Sequence, residues 1–235
     1  LSVIGSVSEG LIFYLIEEQL SNVFNKAKIK SSIVTILTQV IVNEKDPAFK
    51  NPTKPIGSFY SVIEAGKLVQ KGYEVMEDSG RGFRRVVPSP KPIKIIEAET
   101  IKKLIKDTVV IAVGGGGIPV ISKRNNLVGV EAVIDKDLAS ACLASDINAK
   151  TLLILTSVDY VYLNYNKKDQ KSIKKLNVKS AEKYLKEKQF ASGSMKPKIE
   201  AAINFINNKG KKVIITSPEK AEKALKGKAG TLIAK

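Results

Sequence analysis

The chain has 235 residues, 43% hydrophobic and 26% charged, the proportions of a globular protein with room for a sizeable core. Its net charge of +16 does not by itself mark a nucleic-acid binder. Only four of the 39 basic residues are arginine, the lysines are spread along the chain, and no tryptophan or basic–aromatic block accompanies them.

Histidine is absent, which excludes a histidine general base, a Ser-His-Asp triad and any histidine metal site. The single cysteine, Cys142, excludes a disulfide framework and a structural zinc, and favours a reducing compartment; it reads as a small buried hydrophobe. In chain order, residues 10–26 place Leu11, Tyr14, Leu15, Leu20, Val23 and Phe24 near helical spacing. The apolar run at 11–16 is too short to span a membrane, and nothing before it resembles the basic start of a secretion signal. The chain opens on Leu1 in what reads as an interior helix, so a fragment of a longer protein is expected. Residues 32–42 are β-branched and apolar, the pattern of one buried strand. The character then changes: six of the nine prolines (Pro47, Pro52, Pro55, Pro88, Pro90 and Pro92) fall within 46–93. That composition predicts a protruding, mobile subdomain of loops and short elements, or more plainly a connecting insertion. Its ends, N-P-T-K-P-I-G (51–57) and G-R-G-F-R-R-V-V-P-S-P-K-P (80–92), are rigid and basic, suited to reaching over an anion.

Residues 100–107 read as helix and 108–113 as a buried strand running into Gly114, Gly115, Gly116 and Gly117. Glycines after a strand let backbone N–H groups approach a ligand closely, as phosphate loops do, although the spacing is neither a P-loop nor a Rossmann fingerprint. The next apolar run breaks at Asp135-Lys136-Asp137 and gives way to alanine-rich helical sequence as far as about residue 148. Asp135 is the expected N-cap. Lys136 then stands in the first turn against the helix macrodipole, which makes sense where an anion binds. Lys198 repeats the arrangement: Pro197 is expected as the first helical residue, with Lys198 after it and the helix continuing over 199–208. One such lysine reads as a solvated surface residue; two beside glycine-rich sequence read as an anion site. Residues 151–156 form another buried strand leading into 157–164, residues 178–188 a lysine-rich helix, and 212–217 a strand. Ser217-Pro218-Glu219 opens a final helix, and 231–234 is a last strand. Strands alternating with helices predict an α/β fold with a mainly parallel, doubly covered sheet. No internal repeat is present.

Five blocks carry a resemblance: A-F-K-N-P-T-K-P-I-G (48–57), E-D-S-G-R-G-F-R-R-V-V-P-S-P-K-P-I (77–93), G-G-G-G-I-P-V (114–120), G-V-E-A-V-I-D-K-D-L-A-S (129–140) and G-S-M-K-P-K-I-E-A-A (193–202). In this order they resemble carbamate kinases, of the amino-acid-kinase fold family. The resemblance implies a three-layer α/β/α domain over 1–235 with 46–93 as an inserted lid. It also implies reversible phosphoryl transfer between ATP and carbamate, giving ADP and carbamoyl phosphate, usually run toward ATP at the end of arginine breakdown. By similarity, Lys136 and Lys198 hold the β- and γ-phosphates, Asp137 orients them, and Lys54 closes on the carbamate or carbamoyl phosphate beside Gly115, Gly116 and Gly117. The nucleotide is expected over Ser157, Asp159, Tyr160 and Tyr165 and near Met195 and Lys198, with Mg2+ carried by its phosphates. A cytoplasmic homodimer, with no nucleic-acid or membrane partner, completes the expectation. The family's Gly-Gly-Asn and Gly-Asn-Gly-Pro loops have no counterpart and would precede Leu1. Phe13, Ser157 and Ser192 replace a glycine, a glycine and a proline, and Asn166-Lys167-Lys168 replaces Gly-Lys-Pro. Two alternatives stay open: a truncated relative kept for binding or assembly, and another amino acid kinase with a different acceptor. The lid motif speaks against the second.

Overall fold

The computed structural model describes residues 1–78, 80–124 and 126–235; Ser79 of the second block lies outside them. The chain divides into two compact units, Leu1–Ala139 and Ser140–Lys235.

The first unit opens with α1 (Ser2–Ala27), longer than its apolar pattern indicates, ending on Lys28 in the left-handed region. Among the described residues no helix, α1 included, is long and apolar enough to cross a membrane. The single strand expected over 32–42 is two: β1 (Ser32–Ile36) and β2 (Gln39–Val42). Thr38 is the cause. Its hydroxyl donates to the Ile36 carbonyl and accepts the Val113 N–H, and its carbonyl accepts the Ile118 N–H, so the chain changes partners there. A β-branched residue fits a strand by propensity, but these bonds turn it into a break.

The insertion is better ordered than loops. It contains β3 (Lys54–Tyr60), α2 (Val62–Gln70), β4 (Val75–Glu77) and β5 (Phe83–Val87). The three strands make an antiparallel sheet in the order β3-β5-β4. A capping box starts α2: the Ser61 hydroxyl accepts the Glu64 N–H and the Glu64 carboxylate accepts the Ser61 N–H. Asp46 closes the base of the insertion by accepting the N–H groups of Ala48 and Lys91.

β6 (Pro92–Ile95), α3 (Ala98–Leu104), β7 (Thr108–Ala112), β8 (Ile118–Lys123) and β9 (Asn126–Gly129) complete this unit up to α4 (Lys136–Asp146), within which the division falls. β1 pairs in parallel with β7, and a second sheet runs β6-β2-β8-β9 with β2 and β8 parallel. Val40, Ile95, Ile101 and Val120 are buried there.

The second unit has β10 (Thr151–Leu155), β11 (Val161–Leu163), β12 (Lys171–Ile173), β13 (Lys175–Asn177), α5 (Val178–Lys186), α6 (Met195–Asn207), β14 (Lys212–Thr216), α7 (Ala221–Leu225) and β15 (Thr231–Ala234). Its main sheet runs β10-β14-β15-β13, with β10 parallel to β14 and β13 parallel to β15. β11 and β12 form a separate hairpin. The α6 face bearing Ile199, Ala202, Phe205 and Ile206 is buried, as are Val213 and Ile215 of β14. Pro197 is not the first helical residue, since α6 begins two positions earlier at Met195. Its missing N–H costs nothing there, because the first four N–H groups of a helix have no partner inside it.

Candidate active site

Both units carry residues singled out by the sequence. In the first, β7 is followed by Val113 in the left-handed region, and the four glycines make a tight turn into β8. Gly115, Gly116 and Gly117 all have positive φ. A β-carbon on Gly116 would run into the carbonyl of Ile134, the residue before Asp135, so the glycine turn lies directly against the entry to α4. The turn is less open to a ligand than its composition implies. The Gly114 N–H donates to Glu9, the Gly116 N–H to Val113 and the Gly117 N–H to Gly114. Of the four glycines, only Gly115 has nothing within 4 Å of where a β-carbon would stand. Phe13, the residue that replaces a glycine, is buried with its ring against Gly114.

At the start of α4, Asp135 caps as expected: its Oδ1 accepts the Asp137 N–H at 2.9 Å. Its other oxygen has a use that sequence reasoning missed, accepting from the Lys54 ammonium at 2.6 Å. Burial alone would raise the Asp135 pKa. The hydrogen bond and charge of Lys54, with the N–H groups of Asp137 and Leu138, outweigh burial and hold it below the usual carboxylate range. Lys136 is exposed and Asp137 is buried. The insertion's arginines, by contrast, are engaged within it. Arg81 and Arg84 pair with Asp78 and lie over the Phe59 ring at 4.7 and 5.1 Å, and Arg85 lies over Tyr73 at 4.4 Å.

In the second unit, a cavity of about 100 Å³ is lined by Ser157, Tyr162, Tyr165, Phe190 and Met195. Tyr162 and Tyr165 form a tilted pair with centroids 5.9 Å apart. Asp159 and Tyr160 are not in this lining. The Asp159 carboxylate instead accepts the Ser217 hydroxyl at 2.6 Å, joining the two segments that follow β10 and β14. Lys198, fourth in α6, is buried at 8% exposure. Among the described residues no group of three or more acidic, cysteine or histidine side chains could hold a metal ion. Burial, with Asp146 adding, pushes the Cys142 thiol up to about 12, so it stays protonated at neutral pH.

Glu9 bears on the glycine turn. It is 4% exposed, its Oε1 accepts the Gly114 N–H at 3.0 Å, and its buried Oε2 has no hydrogen-bond partner among the described residues. Burial pushes its pKa up to about 7 against the N–H groups of Thr38 and Gly114, and the charge of Glu97 adds to the rise. A carboxyl raised on folding holds its proton in the folded state while the unfolded chain, with a value near 4.5, has lost it. Its contribution is therefore complete below pH 4.5 and lost as pH rises to 7. Glu9→Gln should match the parent near pH 4.5 and become the more stable protein by pH 8, a gap on the order of 3 kcal/mol. Thermal melts of both proteins across that range check it; a gap that does not grow with pH would contradict the assignment.

The first unit thus carries a glycine turn against a capped helix start, and the second a tyrosine-lined cavity, both in an α/β fold. Residues 15–217 match the model of the amino acid kinase family. Carbamate kinase 1 of Staphylococcus epidermidis is 52% identical, over 98% of this chain and 76% of its own length. A carbamate kinase of Pyrococcus horikoshii is 50% identical, over 99% and 75%. The solved structure of carbamate kinase from Giardia lamblia bound to AMP-PNP superimposes with a TM-score of 0.89 at 44% identity, over 99% of this chain and 75% of that one. The chain belongs to the amino acid kinase family and, within it, to the carbamate kinases, which are phosphotransferases.

Proposed function

We propose that the chain catalyses reversible transfer of a phosphoryl group between ATP and carbamate, giving ADP and carbamoyl phosphate. The observation that carries this reading is the entry to α4. There an exposed lysine in the first helical turn, a glycine turn without side chains and a lysine from the insertion stand together in the first unit. Carbamate is already an anion, so no general base is needed and a chain without histidine is no obstacle. What catalysis requires is positioning and neutralisation of the charge spread over the transferring group. Lys136 and Lys198 take the β- and γ-phosphate oxygens, with Asp137 orienting them. Lys54 takes the carbamate or carbamoyl phosphate, at the space beside Gly115. The nucleotide base uses the cavity lined by Tyr165 and Met195. Magnesium would enter with the nucleotide phosphates as their counter-ion and would supply positive charge to the transferring group.

The same reading makes the insertion a lid that closes over the acceptor and excludes water. It also places the reaction at the end of arginine breakdown, run toward ATP, in a cytoplasmic homodimer, whose stoichiometry light scattering would read. The test of the chemistry is direct: ADP, magnesium and carbamoyl phosphate are supplied and ATP is measured. ATP formed in step with carbamoyl phosphate consumed is the expected result. Folded protein that forms none contradicts the assignment.

A further inference from the structure

Lys54 is the first residue of β3, where the insertion leaves the body of the first unit, and Asp135 is 81 positions further on. Asp135 is 8% exposed, whereas the Lys54 side chain is one-third exposed. Both carboxylate oxygens are in use: Oδ1 accepts the Asp137 N–H at 2.9 Å and Oδ2 accepts from Lys54 at 2.6 Å. The returning end of the insertion is fastened at the same place. Lys54 pairs across the sheet with Val87, and the carbonyl of the next residue, Pro88, accepts the Val133 N–H at 3.0 Å. Both ends of the insertion thus meet the three residues that lead into α4.

We propose that Asp135 is a positioning residue for the acceptor-side anion: it holds the Lys54 ammonium at the start of α4 and keeps the base of the insertion fastened there, with and without ligand, while the rest of the insertion closes as the lid. This rests on Lys54 being the lysine that meets carbamoyl phosphate, as argued under the proposed function. Two physical points favour a lasting hold over an exchange of partners. An ammonium has three N–H donors, so one bond to Asp135 leaves two for a phosphoryl or carboxylate oxygen. A ligand that drew Lys54 away would leave a buried carboxylate without its counter-charge, a costly arrangement. The anion is therefore bound by a lysine already in place, which lowers the ordering cost of a long side chain.

Asp135→Asn, Lys54→Ala and the double variant test this. Asparagine keeps an oxygen able to cap α4 and removes only the charge. Asp135→Asn should raise KM for carbamoyl phosphate ~10-fold while KM for ADP stays within about 2-fold, and the double variant should be no worse than Lys54→Ala alone. Independent, additive effects, or a KM for carbamoyl phosphate that is unchanged or lower in Asp135→Asn, would overturn the proposal. Hydrogen exchange of the ligand-free proteins supplies a readout that does not depend on turnover. In Asp135→Asn the amides of 54–60 and 83–87 should exchange faster while those of β7 and β8 do not. Unchanged exchange at 54–60 and 83–87 overturns the docking role even in an active enzyme. Faster exchange there in a protein that makes no ATP supports the docking role while rejecting the phosphotransfer reading. Should Asp135→Asn fail to fold, Lys54→Met removes the other half of the pair, and the same segments should open.

Discussion

Lys136→Ala is expected to lower kcat by ~10²-fold or more while leaving the fold as stable as before, or more stable by about 0.3–1 kcal/mol. The two effects have one cause. Lys136 is exposed in the first turn of α4, where the positive end of the helix dipole makes a cation unfavourable. A surface lysine kept in that position contributes nothing to folding, so removing it should cost the fold nothing. It becomes favourable only when a phosphoryl anion arrives and N–H groups, dipole and ammonium all face the same charge. Lys198→Ala should lower kcat as strongly but also lower the melting temperature, because Lys198 is buried on α6 and its removal leaves a gap. Steady-state rates and melts of the two variants separate the cases. Unimpaired kcat in Lys136→Ala would remove the lysine from the reaction. A large loss of stability in that variant would mean that its charge supports the fold.

What could be read from the residues was local. Asp135 as a cap, the glycines after a β-branched strand and the helix behind Lys136 each depend on neighbours within a few positions. The capping box of Ser61 and Glu64 was just as local, and an insertion read by its prolines alone hid it. The remaining features join distant segments. Thr38 fits a strand by propensity, and only the bond from Val113, 75 positions away, makes it a break. Asp159 sits in a stretch expected to face the nucleotide, yet its carboxylate accepts the hydroxyl of Ser217, 58 positions on. The arginines around Gly82 look available to an anion in sequence, but Asp78, Phe59 and Tyr73 hold them. The partner of Lys54 was the hardest to foresee, because a chain with 23 acidic residues gives no reason to choose Asp135.

Gly116→Ala should be among the most destabilising single substitutions in the glycine turn, by about 3 kcal/mol or more, with Gly115→Ala as its control at about 1 kcal/mol. Both glycines have positive φ, 117° at Gly116 and 65° at Gly115, so both alanines carry backbone strain. They differ in what the new methyl meets. At Gly115 nothing lies within 4 Å, and an alanine there bears only the left-handed conformation. At Gly116 the β-carbon overlaps the backbone carbonyl of Ile134, which is fixed because the next residue both caps α4 and pairs with Lys54. No flexible side chain can move aside, so either the turn or the start of the helix must shift. For a chain of this length that corresponds to a fall in melting temperature of about 10 °C for Gly116→Ala and a few degrees for Gly115→Ala. Phosphoryl transfer should suffer in the same order, because the displaced atoms are those that place Asp135, Lys136 and Lys54. Equal stability losses in the two variants would mean that Ile134 can yield, and that the turn does not fix the entry to α4.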